Sequence, residues 1–132
     1  MRLVAVYLAI ALPFFVIDMA WLKIMGSKLY RAMLGDVLLA EPKVWPAAVF
    51  WLVYPLGLMW FAVLPHHRDG SPIQALLAGS LFGIFTYATY DLTNHATVRN
   101  WTTRLAVTDI VWGSVMATFC SYCGFVAATW LL

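Results

Sequence analysis

LVAVYLAIALPFFVIDMAWL, running from Leu3 to Leu22, holds one charged residue, Asp18, in an otherwise apolar stretch. A helix needs roughly 20 such residues to cross the ~30 Å hydrocarbon core of a bilayer. Three more apolar runs follow, so the reading of this first one sets the fold. An ionised carboxylate in such a helix costs at least ~2.5 kcal/mol, which drives it towards a bundle interior or a wet cavity. Asp18 therefore marks a polar interior, and the chain should supply partners for it.

Composition agrees with a membrane solution. Of the 132 residues, 64% are hydrophobic and 11% are charged, against roughly 25% charged in an average soluble domain. Short polar segments between the runs leave no room for a soluble domain. The expectation is one all-α polytopic domain over residues 1–132, a membrane bundle of four transmembrane helices. Arg2 ahead of an apolar run has the look of a signal peptide. The run is long for one, carries Asp18 and lacks a small-x-small cleavage site, so it reads as a retained helix. No basic stripe alternates with exposed aromatics, so no nucleic-acid partner is expected.

The expected helices run from Leu3 to Met25, Trp45 to Leu64, Ile73 to Thr93 and Leu105 to Leu132, with Pro13 and Pro55 kinking the first two. The first and third connections carry Lys23, Lys28, Arg31, Lys43, Arg99 and Arg104; the other side has Arg2 and Arg68. Lysine and arginine bias places basic loops in the cytoplasm, which makes the bundle N-out/C-out in a bacterial inner membrane. Trp45 and Trp101 fit the inner interfacial belt and Trp130 the outer one.

That orientation aligns three acids. Asp18 lies near the cytoplasmic end of the first helix, Asp91 near that of the third, and Asp109 near the start of the fourth. Each sits within roughly 3–10 Å of a helix end, so one shared pocket at inner-leaflet depth is expected. The third helix reads Ala75, Gly79, Gly83, Tyr87, Asp91, His95 at steps of four, a small-residue packing stripe that runs into the polar groups. Asn94 shares that side. The bland alternative is a packing stripe capped by interfacial polar residues. Asp18 with Trp21, and Asp109 with Trp112, each put an acid and an indole donor on one helical face. Structural acceptors beside interfacial anchors would look the same.

Three carboxylates in one desolvated site repel one another, so the site needs bound protons or a cation. That arrangement suits acid–base chemistry or proton-coupled transport. His95 is the one histidine near the cluster, too little to assign a metal, and His66 and His67 read as a solvated loop. Cys120 and Cys123 share a helical face without a second thiol pair to relay electrons, so they read as buried small hydrophobes. There is no Gly-rich phosphate loop and no His-Glu-x-x-His.

Three segments resemble a bacterial membrane family named domain of unknown function 2177. They are Phe15 to Leu22; Tyr87 to Thr97 followed by Trp101; and Asp109 to Gly113. The similarity runs in order along essentially the whole chain, with Lys23 standing where a small residue is expected. The resemblance implies a four-helix inner-membrane protein whose polar residues act as one set. It supplies no activity, substrate or cofactor.

The expected ligand-binding residues are Asp18, Trp21, Tyr87, Tyr90, Asp91, Asn94, His95, Asp109 and Trp112, with Phe14 adding to the apolar lining. The leading reading is a pocket for a lipid-like or amphiphilic molecule, entered from the bilayer. A small oligomeric proton-coupled transporter and an accessory subunit of a larger membrane complex are the alternatives. The topology has a direct test: in a variant lacking Cys120 and Cys123, a cysteine placed beside Arg31 should resist impermeant thiol reagents added from outside, and its labelling would reverse the orientation.

Overall fold

The computed structural model describes all residues, Met1–Leu132, and is all-helical. Four long helices dominate: α1 (Arg2–Met25), α3 (Val44–Leu58), α4 (Pro72–Thr97) and α5 (Thr103–Leu131). Each is long and apolar enough to cross a membrane, α3 together with the turn that extends it to Val63. Most large apolar side chains point outwards, among them Leu12, Val16, Phe61, Leu77, Phe85 and Val111. Helices that are apolar all round suit lipid as the solvent.

The first connection departs from the expected loop. Gly26 keeps helical angles (φ −55°, ψ −46°), so the chain continues through a π-helical turn at Gly26–Tyr30 into a short α2 (Arg31–Leu34). A single 3₁₀ turn then precedes the extended stretch that leads to α3. Lys23, Lys28 and Arg31 are good helix formers, and their charge conveys topology without conveying a loop. Leu29 and Leu34 hold the segment down on Trp101, Leu105 and Ala106. Asn100 Nδ2 also reaches Asp36 Oδ1 at 3.5 Å. The first and third connections therefore lie together at one end of the bundle.

α5 is the central helix. Its buried positions, from Leu105 to Ala128, face α4 on one side and α1 on the other. α1 contributes Val6, Ile10, Phe14 and Asp18, one face at steps of four. The small-residue stripe of α4 is spent inside the molecule. A β-carbon at Gly83 would stand 2.5 Å from the Gly113 carbonyl and 2.8 Å from Ala117 Cβ, and one at Gly79 would strike Ser121. Those glycines let α4 and α5 approach backbone to backbone.

α3 is attached more loosely. Tyr54, Leu58 and the π-helical turn Met59–Val63 bury against the core cluster around Phe14 and Met116, while its first turns stand apart from α4. Pro55 removes one hydrogen bond from α3. Close by, the Tyr7 hydroxyl donates to the Leu52 carbonyl at 2.9 Å.

Gly83→Leu should cost about 1–3 kcal/mol or more, because its neighbours are backbone and a methyl that cannot swing aside. Gly26→Ala should cost nothing, since nothing lies within 4 Å of the added methyl and its angles are helical. Unfolding of the two variants in mixed micelles checks the contrast.

Candidate functional site

Asp18, Asp91 and Asp109 lie six or seven residues from the same-end termini of α1, α4 and α5. They are 6%, 0% and 4% exposed. The antiparallel packing of α4 on α5 brings Asp91 and Asp109 within hydrogen-bonding reach of one another. Asp18 stands further off, within electrostatic range of Asp109. No lysine, arginine or histidine faces any of the three.

Aromatic donors take the place of cations. Trp51 Nε1 donates to Asp18 Oδ2 at 2.8 Å. The Tyr30 hydroxyl donates to Asp109 Oδ1 and itself accepts from Trp21 Nε1 at 2.8 Å. Trp21 stacks on Trp112, with ring centroids 4.3 Å apart and planes within 6°. Trp112 in turn lies beside Asp18. Stacked rings and hydrogen bonds thus run from Trp112, beside Asp18, to Asp109.

Tyr30 reaches this path because of the π-helical turn. At about 100° per residue, nine residues of straight α-helix would leave Trp21 and Tyr30 on opposite faces. The wider turn at Gly26–Tyr30 shifts that phase and returns the phenol towards Trp21.

The network is incomplete at its centre. Neither oxygen of Asp91 accepts a hydrogen bond, and the indole nitrogens of Trp101 and Trp112 donate none, although all four atoms are buried. Unsatisfied buried groups cost about 1–3 kcal/mol each, more when charged. The Trp101 ring lies beside Asp91. A bound proton between the two carboxyls, or a donor from outside, would satisfy this gap.

The other expected residues divide. Tyr87 is half-buried with its ring over Gly113, and meets Tyr54 edge-on at 6.1 Å. Asn94 is half-buried one turn beyond Asp91. Tyr90 is 56% exposed and only touches the edge of Trp101. His95 does not join the carboxylates: Nδ1 meets the Trp101 carbonyl at 2.8 Å and Nε2 meets Thr103 Oγ1 at 3.1 Å. It braces the turn between α4 and α5. No three His, Cys, Asp or Glu side chains gather closely enough to hold a metal. Cys120 and Cys123 are free thiols, Cys120 inside the core.

Sequence reasoning missed Tyr30, Trp51 and the role of Trp101. Trp51 had a usable signal, since it stands seven residues into α3, the depth of the three acids. Tyr30 had none, because a π-helical turn does not register in apolar periodicity.

Residues 3–126 match the family described as predicted membrane protein, DUF2177. The chain belongs to that family. No curated protein and no solved structure matches it. In this DUF2177 chain the three acids, Tyr30, Trp51 and Trp101 all fall inside the matched span. The family description makes it a membrane protein, and the aromatic-acid network is the feature of its interior that calls for explanation.

Tyr30→Phe removes the donor to Asp109 and the acceptor for Trp21 together. It should destabilise the protein by about 1–3 kcal/mol and loosen the Trp21–Trp112 stack, read as a change in near-ultraviolet circular dichroism. Unchanged stability and spectrum would show that the hydroxyl does not link the two helices.

Proposed function

We propose that the acid cluster is a binding site for the polar end of a lipid-like or amphiphilic small molecule, reached from the cytoplasmic leaflet. The observation that carries this reading is the convergence of three buried carboxylates from three helices, with aromatic donors around them and no cationic side chain. A purely structural role is poorly served by Asp91, whose oxygens accept from no N–H or O–H donor of the protein. An apolar surface on every side gives a hydrophobic molecule access without crossing water.

The Asp91–Asp109 pair adds a chemical capacity. Two facing carboxyl groups that share one proton hold an acid and a base side by side, the arrangement general acid–base catalysis uses. Which of binding and chemistry dominates depends on the ligand. Placement in a bacterial inner membrane with both termini outside rests on the basic residues gathered at the site's end of the bundle. Residues 1–132 then act as one four-helix unit.

Proton-coupled transport by an oligomer is the second reading, favoured by the same carboxyl pair. Transporter sites sit near the bilayer midplane, whereas these acids cluster towards one end. An accessory subunit could have docked through the small-residue stripe of α4, but Ala75, Gly79 and Gly83 are buried inside the bundle.

Asp91→Asn should abolish complementation of a deletion phenotype at normal membrane abundance, while Gly83→Leu should lower abundance first. The amide keeps size and hydrogen-bonding capacity and loses the titratable group. Infrared spectra of the wild type should contain a protonated carboxylic acid band that disappears in Asp91→Asn. Full complementation by Asp91→Asn, or equal loss of abundance in both variants, would return Asp91 to a packing role.

A further inference from the structure

An apolar groove of about 680 Å³ opens along the outer face of α3, towards α4. Its walls include Val49, Phe50, Val53 and Tyr54 near the site, and Trp60 and Phe61 further along, with Phe82 of α4 opposite. That volume lies in the ~300–1,000 Å³ range of small-molecule sites. The groove lies where the first turns of α3 stand apart from α4; the two helices meet from Tyr54, whose hydroxyl pairs with Thr86 Oγ1 at 3.1 Å, and close fully at Met59–Val63.

The groove adjoins the acid cluster. Phe50 and Tyr54 both pack on Phe14, at 5.6 and 5.2 Å between ring centroids. Phe14 is one helical turn from Asp18 on the same buried face of α1. Trp51, the neighbour of Phe50, donates to Asp18 Oδ2, while Asp18 Oδ1 accepts no hydrogen bond. From Phe50 to Phe61 the helix rises about 16 Å. One leaflet contributes about 15 Å of hydrocarbon. A single alkyl chain beginning at acid depth would run the length of the groove.

Charge selects the head. The three carboxylates have no cationic partner, and Asp91, fully buried, leaves two acceptor oxygens empty one carboxyl away from Asp109. A primary ammonium brings one positive charge and three N–H donors, which is what these acceptors lack. A phosphate or carboxylate head would meet like charge at the ionised acids. A neutral hydroxyl would donate to one acceptor and leave the charge uncompensated.

We propose that the protein binds a bilayer amphiphile with an ammonium head, the head at Asp18 and the neighbouring acid pair and its alkyl chain in the groove beside α3. This rests on the reading of the acid cluster as an amphiphile site and names the class of ligand. The groove serves as the lateral entrance, with Trp51 and Tyr54 between chain and head.

The test uses the full chain in phosphatidylcholine nanodiscs, titrated with ω-bromododecylamine, ω-bromododecanol and ω-bromododecanoic acid. Bromine at the chain end quenches Trp60 when the chain lies in the groove, and Trp60→Phe identifies that component. The amine should quench Trp60 saturably at low mole fraction, while the alcohol and the acid should give only the linear loss of random collision. Asp18→Asn should weaken the saturable phase at least tenfold. Val53→Phe, a change at a position 56% exposed, should abolish it by filling the groove. Saturable quenching shared equally by all three heads would overturn the ammonium assignment and leave the amphiphile reading standing. Saturable amine quenching untouched by Val53→Phe would overturn the groove assignment alone. The absence of a saturable phase with any head would overturn both this inference and the reading beneath it. Should Asp18→Asn fail to fold, the head-group series and Val53→Phe decide the matter.

Discussion

α4 and α5 meet backbone against backbone at Gly83 and Gly113, and the antiparallel register set there carries along both helices. One turn further on α4, Tyr87 lies over Gly113. One turn beyond that, Asp91 faces Asp109. A side chain at either glycine would hold the helices apart and separate the carboxyls with them. Without a hydrophobic driving force between helices in lipid, close packing of this kind is a main source of association. The acid pair is thus a consequence of the same contact that joins the two helices.

Burying carboxylates together is costly, and the protein answers with aromatic N–H and O–H groups in place of arginine or lysine. Such donors lower the cost without neutralising the charge. The site consequently keeps its demand for a proton or an external cation. Donors come from α3 through Trp51 and from the turn after α1 through Tyr30, while the Trp101 ring of the α4–α5 connection lies beside Asp91. Nearly every part of the chain at that end therefore serves the three acids.

α3 has a different role. Its second half, from Tyr54 on, joins the core, while its first half turns Phe50 onto Phe14 and Trp51 to Asp18 and leaves an apolar opening alongside. That opening adjoins Phe14, one helical turn from Asp18. Close pairing of α4 with α5 and looser attachment of α3 divide the bundle into a tightly packed wall and a loosely packed one.

The sequence by itself determined the four membrane-length helices, because apolar runs of that length have one economical solution in lipid. It also determined that Asp18, Asp91 and Asp109 lie at one depth, because depth follows from counting residues along a helix. The packing face of α4 was legible in the spacing of Ala75, Gly79 and Gly83. That this face meets α5, and not another copy, was decided only by the tertiary structure, since small residues allow close approach without naming a partner. The same holds for His95, whose place on the stripe put it with the acids until the α4–α5 turn took both ring nitrogens. Tyr30 shows the limit most plainly. Its contact with Asp109 depends on a π-helical turn that alters helical phase, and phase across such a turn is set by what the following segment packs against.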